Sequence, residues 1–159
     1  GAAYADVGVP PVTKGGGDLQ PALEKGTIDA AEWCCPKPDS VFGFQKVLKH
    51  YYLQGLHQVV VNADMYVNGD FYDSLTDLEK KALEVAATAS LSKSMSYRIY
   101  ENGKALKDLT ENHGVILEDT PADYFTEYSA AAAKALQAAA DENEFFAEVE
   151  APRRTALFE

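Results

Sequence analysis

The spacing of apolar positions changes character near residue 76, and that change separates two kinds of predicted element. Before it the pattern is short and often interrupted. Residues 7–13 carry Pro10-Pro11 and read as a turn leading into a short extended piece at Val12-Thr13. Gly15-Gly16-Gly17 reads as a flexible turn, with Asp18 as the cap of the helix that follows. Pro21 falls in the first turn of that helix, where a missing amide hydrogen costs little; Leu19, Ala22 and Leu23 form its apolar face, and Gly26 ends it. Residues 27–31 read as a short strand or extended link, delivering Glu32-Trp33 to a loop broken by Pro36 and Pro38. A helix is predicted over 39–51 from the stripe Val41, Phe44, Val47 and Leu48, with Gly55 as its breaker. The β-branched and apolar run over 57–66 predicts a strand, and Asn68-Gly69-Asp70 a turn.

From Thr76 the spacing becomes helical. Thr76-Asp77-Leu78-Glu79 has the form of a capping box, in which a threonine hydroxyl and a glutamate three residues later satisfy each other's orphan amides. Leu78, Ala82, Val85, Ala86, Ala89, Met95, Ile99, Leu106 and Leu109 carry the period on towards Gly114. One helix of unusual length follows, with Gly103 as a place for a bend. Val115-Ile116-Leu117 reads as a short strand, and Thr120-Pro121 opens a helix running through the alanine-rich segment to about Asn143. A last short helix begins near Glu144 and should stop at Pro152.

With 159 residues the chain has room for one domain with a hydrophobic core. Its 25 acidic against 14 basic residues give a formal charge of −11, and the basic residues are scattered. Binding to phosphate backbones needs them clustered, so nucleic acid is excluded as a partner, and an anionic lipid surface is disfavoured for the same reason. An anionic ligand would need local positive charge to overcome this field. No apolar stretch is long enough to span a bilayer. The chain opens Gly1-Ala2-Ala3-Tyr4 with neither a secretory signal nor an initiator Met, which predicts a processed start or a fragment. Cys34 and Cys35 are adjacent; a disulfide between neighbours is strained, so two free or buried thiols are expected.

Catalytic motifs are absent. There is no Gly-x-Ser-x-Gly elbow, and His50, His57 and His113 have no triad context. Lys14-Gly15-Gly16-Gly17-Asp18 lacks the Lys-Ser/Thr of a phosphate loop. The chain is therefore not expected to be an enzyme.

The run Gly16-Gly17-Asp18-Leu19-Gln20-Pro21-Ala22-Leu23-Glu24-Lys25-Gly26-Thr27-Ile28-Asp29-Ala30-Ala31-Glu32-Trp33 resembles the signature region of TRAP transporter solute-binding proteins. Phe42-Gly43-Phe44-Gln45-Lys46-Val47 and Tyr51-Tyr52-Leu53-Gln54-Gly55 are similar to that family too, and the resemblance covers nearly the whole chain. It is nearest to the branch that binds 2-oxo acids and monocarboxylates such as lactate. The resemblance implies an α/β fold of the periplasmic binding protein type II kind, with a long helix crossing between lobes and few short strands. It implies that residues 1–159 are the C-terminal portion of a domain whose first lobe and signal peptide lie upstream, together with an Arg that anchors the ligand carboxylate. It further implies a periplasmic location, reversible capture of a small organic acid, a membrane permease as protein partner, and possible pairing into a homodimer.

By the same resemblance Glu32 and Trp33 lie in the ligand cleft, where the glutamate and nearby backbone oxygens hold Na⁺ or Ca²⁺ that bridges to the ligand carboxylate. Hard cations prefer such oxygens, and a bound cation neutralises an anion in an acidic protein. Trp33 would supply an apolar wall. The plain alternative is a surface Glu beside a core Trp. His57 and Gln58 follow Gly55, where the family brings in cleft residues; the start of a strand accounts for them equally well. Asp18 stands where the family has a Glu, and Tyr51 and Tyr52 read as packing residues. Departures from the family are Cys34-Cys35, a shortening between Val7 and Gly8, and the tail 152–159. Two rivals to the receptor are an acidic helical interaction module, using the long helix as its surface, and a metal-dependent lyase or hydrolase using Glu32.

Overall fold

In the computed structural model all residues are described except 58–60, 62, 63 and 159, with 154–158 described by backbone alone. The chain runs α1 (Ala2–Asp6), α2 (Gly16–Glu24), α3 (Pro36–Phe42), a 3-10 turn (Phe44–Lys46), β1 (His50–Tyr52), α4 (Gly69–Ser74), α5 (Asp77–Asn112), β2 (Ile116–Glu118), α6 (Ala122–Glu142) and α7 (Glu144–Phe158). β1 and β2 pair in parallel, His50 opposite Ile116 and Tyr52 opposite Glu118. Parallel neighbours need a long crossover, and here α4 and α5 supply it.

Two apolar clusters hold the lower part of the molecule together. Ala3 of α1 packs on Tyr128 and Ala131 of α6. Leu19 and Leu23 of α2 pack on Phe44, with Ile28, Ala31, Val47 and Leu48 around them. The C-terminal third of α5 joins this body: Leu109 is only 3% exposed, and Asn102 Oδ1 accepts the Lys37 amide of α3 at 2.9 Å. Lys49 Nζ donates to the carbonyls of Gln45 and His113, so the start of β1 is tied to the end of α5.

The other end of α5 is different. Every residue from 88 to 100 is exposed, including Leu91, Met95, Ile99, Tyr97 and Tyr100. The accessible surface of 11907 Å² compares with about 7,800 Å² for a compact monomer of this mass.

The capping box at Thr76 forms as the sequence requires: its hydroxyl accepts from the Glu79 amide, and Glu79 accepts from the Thr76 amide. The long helix crosses Gly103 without interruption and ends at Asn112, with His113 as its C-cap and Gly114, at φ +65°, turning the chain away. Leu19, Ala22 and Leu23 are the buried face of α2, as their spacing predicts.

Other expectations are corrected. The helix predicted over 39–51 begins earlier, with Pro36 in its first turn, and stops at Gly43, whose φ of +81° caps it. Apolar spacing continues through that glycine, so the stripe concealed the break; Phe44 is buried, whereas Val41 is exposed and Tyr51 lies in β1. The predicted strand over 57–66 falls partly outside the described residues, and His57, Val61 and 64–66 form no strand. Residues 9–15 and 27–31 are irregular, so the extended piece at Val12-Thr13 is no strand, whereas α1 had no sequence signal. Gly15, not Asp18, is the N-cap of α2, and Asp18 sits in the first turn, its amide donating to the Gly15 carbonyl. Asn68 caps the short helix α4 where a turn was predicted. Pro152 lies inside α7 and does not stop it.

Candidate functional site

The Glu32-Trp33 segment is positioned by α2. Gly26, at φ +65°, turns the chain off the end of that helix. The Thr27 hydroxyl and amide both donate to the Ala22 carbonyl, at 3.1 and 3.0 Å. The link then runs back alongside α2 and returns Trp33 to the first turn of the helix. There Gly16 is required: a Cβ on it would lie 2.6 Å from Trp33 Cη2. This close approach ties the first glycine of the run from 16 to 33 to its last residue. The indole also meets Phe42 edge-on, with ring centroids 5.0 Å apart, and remains 41% exposed.

In front of Trp33 lies a broad open cleft. Its walls come from Tyr4 of α1, the segment from Asp29 to Pro36, the end of β1 with the chain that follows, and the start of α6 at Asp123, Tyr124 and Glu127. Glu32 and His57 come together in it, His57 Nε2 lying 3.5 Å from Glu32 Oε1. Tyr4 presents its ring to His57 at 6.3 Å between centroids, and its hydroxyl lies 3.2 Å from that of Tyr124. Burial, and then the hydrogen bond with Tyr124, push the Tyr4 phenol well above its ordinary value, so it stays protonated. Gln58, the fourth candidate, lies outside the described residues.

Asp39 braces the far wall. Its Oδ1 accepts the amides of Cys34 and Cys35, each at 3.3 Å, and its Oδ2 accepts the Tyr51 hydroxyl at 2.6 Å. Burial outweighs these bonds and raises the Asp39 carboxyl above the usual range. The two cysteines are free thiols with their Sγ atoms 2.6 Å apart. Burial, and then its contact with Cys35, push the Cys34 thiol up to about 11.

Charge in the cleft is one-sided. Among the described lining residues Asp29, Glu32, Asp39, Asp123 and Glu127 face a single Lys, Lys49, and no Arg. A bare carboxylate would therefore be repelled. No group of three or more His, Cys, Asp or Glu among the described residues is arranged to hold a metal ion. A cation here would rely on one side-chain carboxylate together with carbonyl and ligand oxygens. That donor set suits Na⁺ or Ca²⁺ and does not suit a thiophilic metal.

Comparison with known proteins now decides the family. Residues 1–143 match the family described as bacterial extracellular solute-binding protein, family 7. The chain belongs to this family. It is a family of solute-binding proteins, not of enzymes, as the sequence led us to expect. A monocarboxylate 2-oxoacid-binding periplasmic protein of a Nostoc species is 33% identical over 97 residues, which are 59% of this chain and 26% of that protein.

Solved family structures follow the same backbone. A TRAP periplasmic solute-binding protein from Colwellia psychrerythraea, with bound calcium and pyruvate, matches with a TM-score of 0.84 at 30% identity, covering 92% of this chain and 45% of that one. One from Pseudoalteromonas atlantica, with bound sodium and pyruvate, gives 0.72 at 27% identity, covering 92% and 45%. A TRAP solute-binding protein from Bordetella bronchiseptica, a mixed-occupancy dimer with calcium and picolinate in one site, gives 0.75 at 26% identity, covering 92% and 44%. The chain thus spans about a quarter of the curated relative and under half of each solved one. The helix-rich α/β binding-protein fold with few short strands is the one anticipated.

Tyr4, Tyr124 and Asp39 were not anticipated in the cleft. Asp39 looked like the start of a helix, and Tyr4 sat in a stretch without chemical pattern. Each reaches the cleft only through tertiary packing. Tyr51, read as a packing residue, also donates its hydroxyl to Asp39.

Proposed function

We propose that this chain forms one wall of a receptor site that reversibly captures a small 2-oxo or 2-hydroxy acid in the periplasm and delivers it to a TRAP membrane permease. The carrying observation is the one-sided acidity of the cleft around Glu32, in a chain whose solved relatives hold pyruvate together with calcium or sodium. A carboxylate ligand beside these residues needs an offsetting positive charge, and a cation held at Glu32, the carboxylate set directly beside the apolar Trp33 wall, supplies it. Glu32 and backbone oxygens near Trp33 hold the Na⁺ or Ca²⁺, whose charge offsets that of the acid. The Trp33 face shields the ligand's carbon end from water. His57 competes for Glu32 when protonated and belongs to the ligand-facing wall, and Gln58 remains a candidate ligand contact from the sequence alone.

Residues 1–159 are, on this reading, one part of a longer solute-binding domain. The exposed apolar residues of α5 are then covered by the other part, with α5 crossing between lobes that close on the ligand. Pairing into a homodimer remains compatible with this arrangement.

Calorimetric titration of the full-length protein with pyruvate, with and without calcium or sodium, tests the reading. Saturable binding that needs the cation, and that weakens at least tenfold in Glu32→Gln, is the expected result. Cation-independent binding unaffected by Glu32→Gln would remove the bridging role, and no binding of any 2-oxo or 2-hydroxy acid would remove the ligand class. Emission from Trp33, the only tryptophan of this chain, follows the same titration on the chain alone.

A further inference from the structure

We propose that Cys34 and Cys35 form a reversible dithiol–disulfide pair in the cleft wall, closed by exchange with a small-molecule disulfide. Both thiols are free, their sulfurs lie 2.6 Å apart, and Cys34 is exposed to the cleft. No arrangement of three or more metal-ligating side chains includes them among the described residues, so soft-metal binding gives no account of their juxtaposition. Thiol–disulfide exchange needs two sulfurs in contact and access for the co-reactant, both of which are present, and its rate is set by the thiolate fraction, which the raised Cys34 thiol keeps low.

The exchange runs in two displacements. One cysteine sulfur, as its thiolate, attacks a sulfur of the small disulfide, and the first thiol departs. The neighbouring cysteine sulfur then attacks the mixed disulfide, and the second thiol departs. The pair loses two protons and two electrons, and the small disulfide is reduced to two thiols. Adjacent Cα atoms are held about 3.8 Å apart by the peptide bond, closer than the roughly 4.4–6.8 Å at which disulfides normally form. The ring is therefore strained and easily reopened, which suits a switch and not a structural staple. The family is described as extracellular, and oxidising exteriors are where disulfides form and persist.

Closure has a local consequence. The amides of Cys34 and Cys35 converge on a single oxygen, Asp39 Oδ1, so strain that ring closure places on this short segment is felt at that anchorage. Trp33 is joined directly to that segment and is wedged against Gly16 and Phe42. Oxidation thus shifts Trp33, and this chemistry needs no bound acid.

The test is equilibration of the intact chain in mixtures of oxidised and reduced glutathione, quenched with N-ethylmaleimide and weighed by mass spectrometry. As the oxidised fraction rises, the expected species goes from two maleimide adducts to none, with the chain lighter by two hydrogens, free of glutathione and monomeric. Trp33 emission changes in step and returns on reduction. Cys34→Ser and Cys35→Ser each hold a persistent glutathione adduct and lose the coupled emission change. Wild-type chain that accumulates glutathione adducts, links into disulfide dimers or keeps both maleimide adducts throughout would overturn the proposal. So would ring formation without any change in Trp33 emission.

Discussion

The two ends of α5 share one helix and have opposite surroundings. Its last turns sit in the body of the molecule, with Ala105 and Leu109 buried and Asn102 bonded to α3. Its middle, from 88 to 100, touches nothing that buries it, although it carries Leu91, Met95 and Ile99. Secondary structure is the same in both, so helix propensity and the Thr76 capping box are sufficient to write the helix but not to stabilise a core. What distinguishes the ends is tertiary burial, the source of most helix stability in proteins.

The largest expected effect sharpens this contrast directly. Leu109→Ala should cost about 2–5 kcal/mol, the usual range for a buried leucine. Leu91→Ala, on the same helix and with the same atoms removed, should change stability by no more than about 0.5 kcal/mol in this chain. Urea unfolding of both variants checks the pair, and equal losses would show the arm to be buried in solution. A smaller effect is expected where the cleft segment meets α2. Gly16→Ala places a methyl group against the Trp33 ring, and overpacking of this kind costs about 1–3 kcal/mol. The same variant should move Trp33 emission, whereas Gly17→Ala, with open space around its Cβ, should leave emission unchanged.

The smallest expected effect is electrostatic and separates body from arm by its sign. Burial raises the Asp39 carboxyl, so the folded state holds its proton more tightly than the unfolded chain does. Its penalty is present at neutral pH and is relieved as pH falls through the folded value. Glu79, at the tip of the arm, is held below its usual value by hydrogen bonds from the Thr76 hydroxyl and amide. Its contribution is present above the usual carboxylate range and is lost as pH falls through the folded value. Asp39→Asn should therefore gain on the wild type as pH rises from about 4 to about 7, and Glu79→Gln should lose ground over the same span. Denaturant midpoints against pH measure both slopes, and parallel slopes would contradict the assignments.

The sequence disclosed these regions unequally. α5 was legible because cap, period and stop all lie within one continuous segment. Glu32 and Trp33 were singled out by the family resemblance, and the contact that seats the indole against Gly16 lies within that same run of eighteen residues. Tyr4 was not, because it meets Tyr124 across 120 residues, and Asp39 and Tyr51 were not, because their bonds to Cys34, Cys35 and each other form across a helix end and a turn that carry no pattern for them. β1 was hidden for a similar reason. His50-Tyr51-Tyr52 become extended by pairing with Ile116 to Glu118, and nothing local in the sequence carries that information. Gly43 was visible, but spacing alone did not say that it would end a helix whose apolar stripe continues beyond it.

α5 also has a mechanical consequence. A 36-residue helix is a rod about 54 Å long, whose buried residues among those described lie near its C-terminal end. Leu78 lies about 46 Å along the axis from Leu109, so a tilt of about 5° at the anchorage swings the tip by about 4 Å. The rod thus acts as a lever, turning slight repacking around Leu109, behind the Trp33 wall, into displacement on the scale of a side chain at its far end.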